Sequence, residues 1–184
     1  MRNFILGITV TLLVIGLFVL AEATLGLVPT NADATPPQLE RRVAMNALDA
    51  SMERHAPRVS SPIPPTDENL IDGIKVYTMN CSMCHGTLDN RPSPLEKSFY
   101  PPAPQLILDP LTDPEWHIYY AVRSGVRYTG MPAWNKTLSD QDTWKVTAFL
   151  ARIQTLSPGV RDYWKQSFGV SPPVAGLEKD VDKR

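Results

Sequence analysis

Cys81-Ser82-Met83-Cys84-His85, CSMCH, holds both cysteines of the chain, and a histidine follows the second directly. Two thiols one helical turn apart can attach a haem, supply half of a zinc site or cycle as a redox dithiol, so the surroundings must decide. A zinc ion takes about four ligands. The other donors, His55 and His117, are scattered, and His85 adjoins Cys84 too closely for comfortable tetrahedral geometry. A thioredoxin-like dithiol sits between a strand and a helix whose N-terminus lowers its pKa. Here a helical pattern precedes the motif and no parallel-sheet pattern surrounds it. Haem attachment uses all three residues at once: thioether bonds from Cys81 and Cys84, and His85 on the iron.

The flanks read as helices. Thr66 has cap chemistry, with Asp67 and Glu68 in the first turn, and Leu70, Ile74, Tyr77 and Cys81 recur at spacings of four, three and four. One apolar face therefore runs into the motif. A proline-rich loop follows over residues 91–110. Thr112-Asp113-Pro114-Glu115 then reads as a capping box opening a helix over residues 112–124, which Gly125 can end in the left-handed conformation. After a loop at 126–136, a last helix is expected from Ser139 through Trp144, Val146, Phe149, Leu150 and Ile153, until Ser157-Pro158 stops it. Beyond it the sequence predicts one turn around Tyr163-Trp164 and then a fraying polar tail. No strand pattern is present in this region, and the expected fold class is all-α.

A haem with histidine on one face asks for a sixth ligand, usually a methionine on a downstream loop. Of six methionines, Met1 starts the chain, Met45 and Met52 lie in an upstream proline-bounded segment, and Met79 and Met83 are held too near the motif. Met131 stands in a loop between two helices, 46 positions after His85, between Gly130 and Pro132, which admit close backbone approach and stiffen the loop. His117 is the rival; its place inside the predicted helix beside Trp116 favours a helix-surface or core histidine. His55 is expected to be exposed.

Residues 4–20 carry no charge and follow Arg2. Their length lies at the border between a signal's apolar region and the roughly 17 to 25 residues of a spanning helix. An uncleaved anchor is favoured, although Ala21-Glu22-Ala23 and Ala32-Asp33-Ala34 resemble cleavage sites. Arg2 on the short side predicts export of everything that follows. In an oxidising compartment unoccupied thiols tend to pair, yet a loop this small makes a poor staple. Residues 29–65 read as a proline-rich spacer with one possible helix at 38–55, where Leu39, Val43, Ala47, Leu48 and Met52 fall roughly on one face. Its expected role is to hold the head off the bilayer; the alternative is an arm packed on the head. The chain of 184 residues has a formal net charge of −1 and no basic stripe, which argues against nucleic-acid binding and against strong steering of a partner by charge.

With attachment motif, methionine loop and helices in this order, residues 66–156 resemble the monohaem class I c-type cytochromes, especially the c-type subunits of bacterial haem-copper oxidases. The family places a glycine eight residues and an aromatic four residues before the first cysteine, matched here by Gly73 and Tyr77. The resemblance implies that both cross the C-terminal helix closely, with Phe149 and Val146 as partners. It implies a proline carbonyl accepting from the proximal histidine, Pro104 rather than Pro101 or Pro102. It also suggests haem-propionate contacts from Arg127, Tyr128 or Trp134. The organisation expected is residues 1–28 as anchor or signal, 29–65 as spacer, 66–156 as haem domain and 157–184 as polar tail.

The function implied is electron transfer through one haem c, covalent through Cys81 and Cys84 and ligated by His85 and Met131, with no open site for catalysis. The head would lie on the periplasmic side of a bacterial inner membrane. It would act either as a tethered carrier between redox proteins or as a fixed subunit of a larger oxidoreductase. A haem sensor or peroxidase with a labile sixth ligand is the alternative.

Overall fold

Helix α3, Asp67–Asn80, begins where Thr66 accepts a hydrogen bond from the Asn69 amide and ends at Cys81. Its buried face, Leu70, Gly73, Ile74, Val76 and Tyr77, follows the periodicity of the sequence. The structure, a computed structural model, describes residues 1–27 and 30–173 and divides after Ala34 into two units.

The first unit is helix α1, Arg2–Leu25, closed by Gly26 in the left-handed conformation. It is long and apolar enough to cross a membrane. Its threonines are satisfied within the helix: Thr9, Thr11 and Thr24 hydroxyls donate to the carbonyls of Ile5, Gly7 and Leu20 at 2.8–3.0 Å. A helix that covers its own polar groups in this way is suited to lipid.

The second unit holds the remaining helices: α2 (Gln38–His55), α3, the single turn α4 (Ser82–His85), α5 (Glu115–Ser124), α6 (Asp140–Arg152) and α7 (Pro158–Phe168). Among the described residues there is no strand, only an isolated bridge between Thr87 and Arg91. The all-α expectation therefore holds.

The core is built on the crossing of α3 with α6. A Cβ on Gly73 would stand 2.3 Å from the Lys145 carbonyl oxygen and 2.9 Å from the Phe149 Cβ, so only glycine lets the two backbones approach this closely. One turn on, the Tyr77 and Phe149 rings meet edge to face with centroids 5.8 Å apart. Phe149 touches Trp164 of α7 at 5.9 Å, and the Trp164 indole donates to the Leu88 carbonyl at 2.9 Å. All three rings are fully buried. Burying a side chain of this kind is worth about 1.5–3 kcal/mol.

Two expectations are corrected here. The segment after residue 157 is not a single turn followed by fraying: α7 spans Pro158–Phe168, capped by Ser157 through the Val160 amide, and places Val160 and Trp164 in the core. The polar residues of this segment face water while two large apolar ones face inward; residues 174–184 lie outside the described residues. The box at Thr112 does not form either. Helix α5 starts at Glu115 with Pro114 at its cap and no capping side chain, and both acidic groups have other partners. Asp113 accepts from the His117 ring, and Glu115 pairs with Arg152 of α6. The cap at Ser139, by contrast, is made as the sequence predicts, with its hydroxyl accepting from the Asp142 amide.

Helix α2 has the predicted bounds and lies against α5. The prolines after it also follow the head: Pro57, Val59, Ser60 and Pro62 line a groove with Tyr119, Tyr120 and Trp144, and Arg58 lies over the Trp116 ring, 5.4 Å from its centroid. Of the two readings of the segment at 29–65, the arm packed on the head is therefore the one the structure shows from α2 onward.

Candidate functional site

Helix α3 delivers Cys81 to a cavity of about 450 Å³, and α4 brings Cys84 and His85 to the same wall. Gly86 follows at φ 91°, the left-handed side that favours glycine, and turns the chain back under the motif. The buried Tyr77 hydroxyl fixes this turn by donating to the carbonyls of His85 and Gly86 at 2.9 and 2.8 Å. Burial, and then the neighbouring Cys81, pushes the Tyr77 phenol well above its ordinary value, so it stays a donor.

The His85 Nδ1 lies 2.8 Å from the Pro104 carbonyl. A carbonyl only accepts, so Nδ1 carries the proton and Nε2 keeps its lone pair. Burial lowers the His85 pKa and favours the neutral ring, while the bond to Pro104 opposes that shift in part. Pro104 is held in turn by its neighbours. Gln105 donates to the carbonyls of Cys84 and Ala103 and accepts from the Ser93 amide at 2.7 Å, while the Leu106 amide donates to the His85 carbonyl at 3.0 Å. Gln105 and Ser93 escaped sequence reading because an amide and a hydroxyl in a loop carry no pattern; only the fold gives them partners.

The second wall comes from the loop after α5. Gly125 ends α5 at φ 67° and ψ −176°: the positive φ was expected, but ψ is extended rather than left-handed. A Cβ there would be 2.6 Å from the Pro132 carbonyl carbon and the Ala133 amide nitrogen, so glycine seats the loop directly on the helix end. The Met131 amide donates to the Thr129 hydroxyl at 3.1 Å, that hydroxyl donates to the Val126 carbonyl at 2.7 Å, and the Val126 amide donates to the Met131 carbonyl at 3.1 Å. Met131 is half-buried and packs against the core. Gly130 admits a neighbour as expected, but a protein one: a Cβ would stand 2.9 Å from the Phe99 ring.

Of the residues singled out in the sequence, Cys81, Cys84, His85, Pro104, Met131 and Trp134 line this one cavity. Arg127 does not; its guanidinium lies over Tyr128, 5.7 Å from the ring centroid, and Tyr128 is 91% exposed. Met79 and Met83 are exposed. Three residues the sequence assigned to the spacer also reach the lining, Met45, Leu48 and Met52 of α2, and so does His117. The amphipathic face of α2 already contained Leu48 and Met52, but nothing in its pattern named the surface it would meet.

The donor set fits haem c: two unpaired thiols, an imidazole with its distal nitrogen free and a thioether converge on one largely apolar cavity. It fits a redox dithiol poorly. The buried Cys81 thiol is pushed up to about 12, by burial first and then by Cys84, whereas a reactive thiolate needs the opposite shift.

Comparison with known families points to cytochrome-like redox proteins. The family model "Cytochrome C oxidase, cbb3-type, subunit III" matches residues 68–150, from α3 to near the end of α6. Comparison with curated proteins gives no match. Among solved structures, a chain of the reducing HAO-like protein complex of Kuenenia stuttgartiensis aligns at 20% identity with a TM-score of 0.40, over 62% of this chain and 60% of that one. The protein thus spans less than two thirds of that chain's length. The matched region, a helical unit similar to an oxidase subunit and preceded by a helix apolar enough to span a membrane, points to a redox, electron-transfer role.

Proposed function

We propose that the second unit is a monohaem c-type electron-transfer domain with His85 and Met131 as axial ligands, carried by α1 as a membrane anchor and exposed on the periplasmic side of a bacterial inner membrane. The observation that carries the reading is the His85 ring, whose Nδ1 is committed to the Pro104 carbonyl while Cys81, Cys84 and Met131 line the cavity it borders.

When bound, haem c supplies one-electron exchange between ferrous and ferric iron. The protein's own part is positional. Cys81 and Cys84 tether the ring, so that loss of an axial ligand does not release it. The Pro104 and Gln105 contacts hold His85 in one tautomer and orientation. The pinned loop presents Met131 as a thioether, which favours the ferrous form and raises the reduction potential. Ile118, Val122, Leu106 and the α2 side chains exclude water, and this further disfavours the extra charge of the ferric state. His85 and Met131 would together hold the iron and leave no open position for a substrate, so the role would be that of a tethered carrier or of the cytochrome subunit of a larger oxidoreductase with redox-protein partners.

The test is mass measurement and a reduced-minus-oxidised spectrum of the protein expressed with its maturation machinery. A covalent haem, a low-spin spectrum and slow carbon monoxide binding are expected. Rapid carbon monoxide binding by the reduced protein would instead favour a sensor or peroxidase with a labile sixth ligand.

A further inference from the structure

His117 has a buried ring nitrogen that the fold leaves without a partner. Its Nδ1 lies 2.9 Å from an Asp113 carboxylate oxygen. A carboxylate accepts, so Nδ1 carries a proton. The other nitrogen, Nε2, is buried, lacks a hydrogen-bond partner among the described residues and belongs to a ring that lines the cavity. Burying such a group unpaired is unfavourable, so a ligand that pairs with it is favoured.

The cavity lining indicates which ligand. Among the described residues it contains no lysine and no arginine. Most of its side-chain donors are already committed within the chain: Asn80 to the Val76 carbonyl, Thr129 to the Val126 carbonyl and His85 to Pro104. Apart from the two thiols and the second N–H of the Asn80 amide, the Trp134 indole and, once Nε2 is protonated, His117 are left among the described residues. The haem of the proposed function brings two propionate carboxylates, which also need partners. His117 stands on the first turn of α5, with Asp113 fixing its tautomer, while Ile118 and Ala121 of the same helix line the wall beside it.

We infer that His117 is a propionate-binding residue, its Nε2 taking up a second ring proton so that Nε2–H donates to one haem propionate while Nδ1–H donates to Asp113 on the other side. Asp113 is then a positioning residue: it touches His117 and sets which nitrogen faces the cavity. The inference rests on the haem reading and goes beyond it, since that reading needs only Cys81, Cys84, His85 and Met131.

The experiment uses the full chain, matured with haem carrying 13C at its propionate carboxyls, and compares infrared difference spectra of the native protein, His117→Phe and Asp113→Asn. In His117→Phe the 13C-sensitive carboxyl band should shift, and the Met-to-iron charge-transfer band should remain. Asp113→Asn should shift the carboxyl band less and in the same direction. This second variant keeps the histidine and serves if His117→Phe fails to mature. An unchanged carboxyl band in a haem-loaded variant overturns the inference. Loss of the low-spin spectrum in His117→Phe also overturns it, by making His117 an iron ligand. Absence of covalent haem from the native protein, read by mass, sinks the haem reading itself and is distinct from either result.

Discussion

Two regions bring methionines to the same cavity by different means. The Met131 loop is seated on the end of α5 by Gly125 and cross-linked by three hydrogen bonds among Val126, Thr129 and Met131. Helix α2 brings Met45 and Met52 to the lining, yet among the described residues it makes no hydrogen bond or ion pair to residues 66–173; Met45 is 40% exposed. A ligand must hold its sulfur at one position through a change in iron charge. A cover needs only to exclude water, and flexible thioethers suit that. On the proposed reading the same residue type serves as ligand where the backbone is fixed and as seal where it is held by apolar contact alone.

The comparison can be broken at several points. Replacing both Cys81 and Cys84 with alanine should have the largest effect, complete loss of covalent haem by mass, because axial ligation alone leaves the ring free to leave. Next is Gly125→Ala. The new Cβ would enter the Pro132 backbone at a positive φ, and strain of at least about 2 kcal/mol should displace the Met131 loop. A weakened Met-to-iron band together with a lower melting temperature would register it. Thr129→Val keeps the shape of the loop but removes the hydroxyl that joins Val126 to Met131, at a cost of about 1 kcal/mol. Thermal unfolding and faster carbon monoxide binding by the reduced protein would show the loosened ligand. Met52→Ala should have the smallest effect. The band should persist, while the reduction potential falls slightly as water reaches the cavity.

The parts of the fold legible in the sequence were those with local causes. The Thr66 and Ser139 caps, the apolar face of α3 and the bounds of α2 all follow from residues near one another. The meeting of Gly73, Tyr77 and Phe149 was expected from family resemblance rather than from periodicity. What escaped reading depends on distant partners. The Thr112–Glu115 box was locally well formed, but its acidic partner Glu115 pairs instead with Arg152 of α6. Helix α7 was hidden because only Val160 and Trp164 of its residues are buried, and the indole's acceptor, the Leu88 carbonyl, lies far upstream. At the site, the convergence of Cys81, Cys84, His85 and Met131 on one cavity was anticipated because haem attachment and ligation would need particular residue types. His117 and the α2 methionines were not, because their positions on the cavity wall exist only once the helices pack.

The division of labour between the two methionine regions is tested most directly by the visible spectrum and reduction potential of two haem-loaded variants, Met131→His and the double variant Met45→Leu/Met52→Leu. Met131→His should keep the covalent haem, abolish the Met-to-iron charge-transfer band and lower the reduction potential, since imidazole favours the ferrous form less than a thioether does. The double variant should keep the band. An unchanged spectrum in Met131→His, or loss of the band in the α2 variant, would contradict the assignment and place the sixth ligand elsewhere.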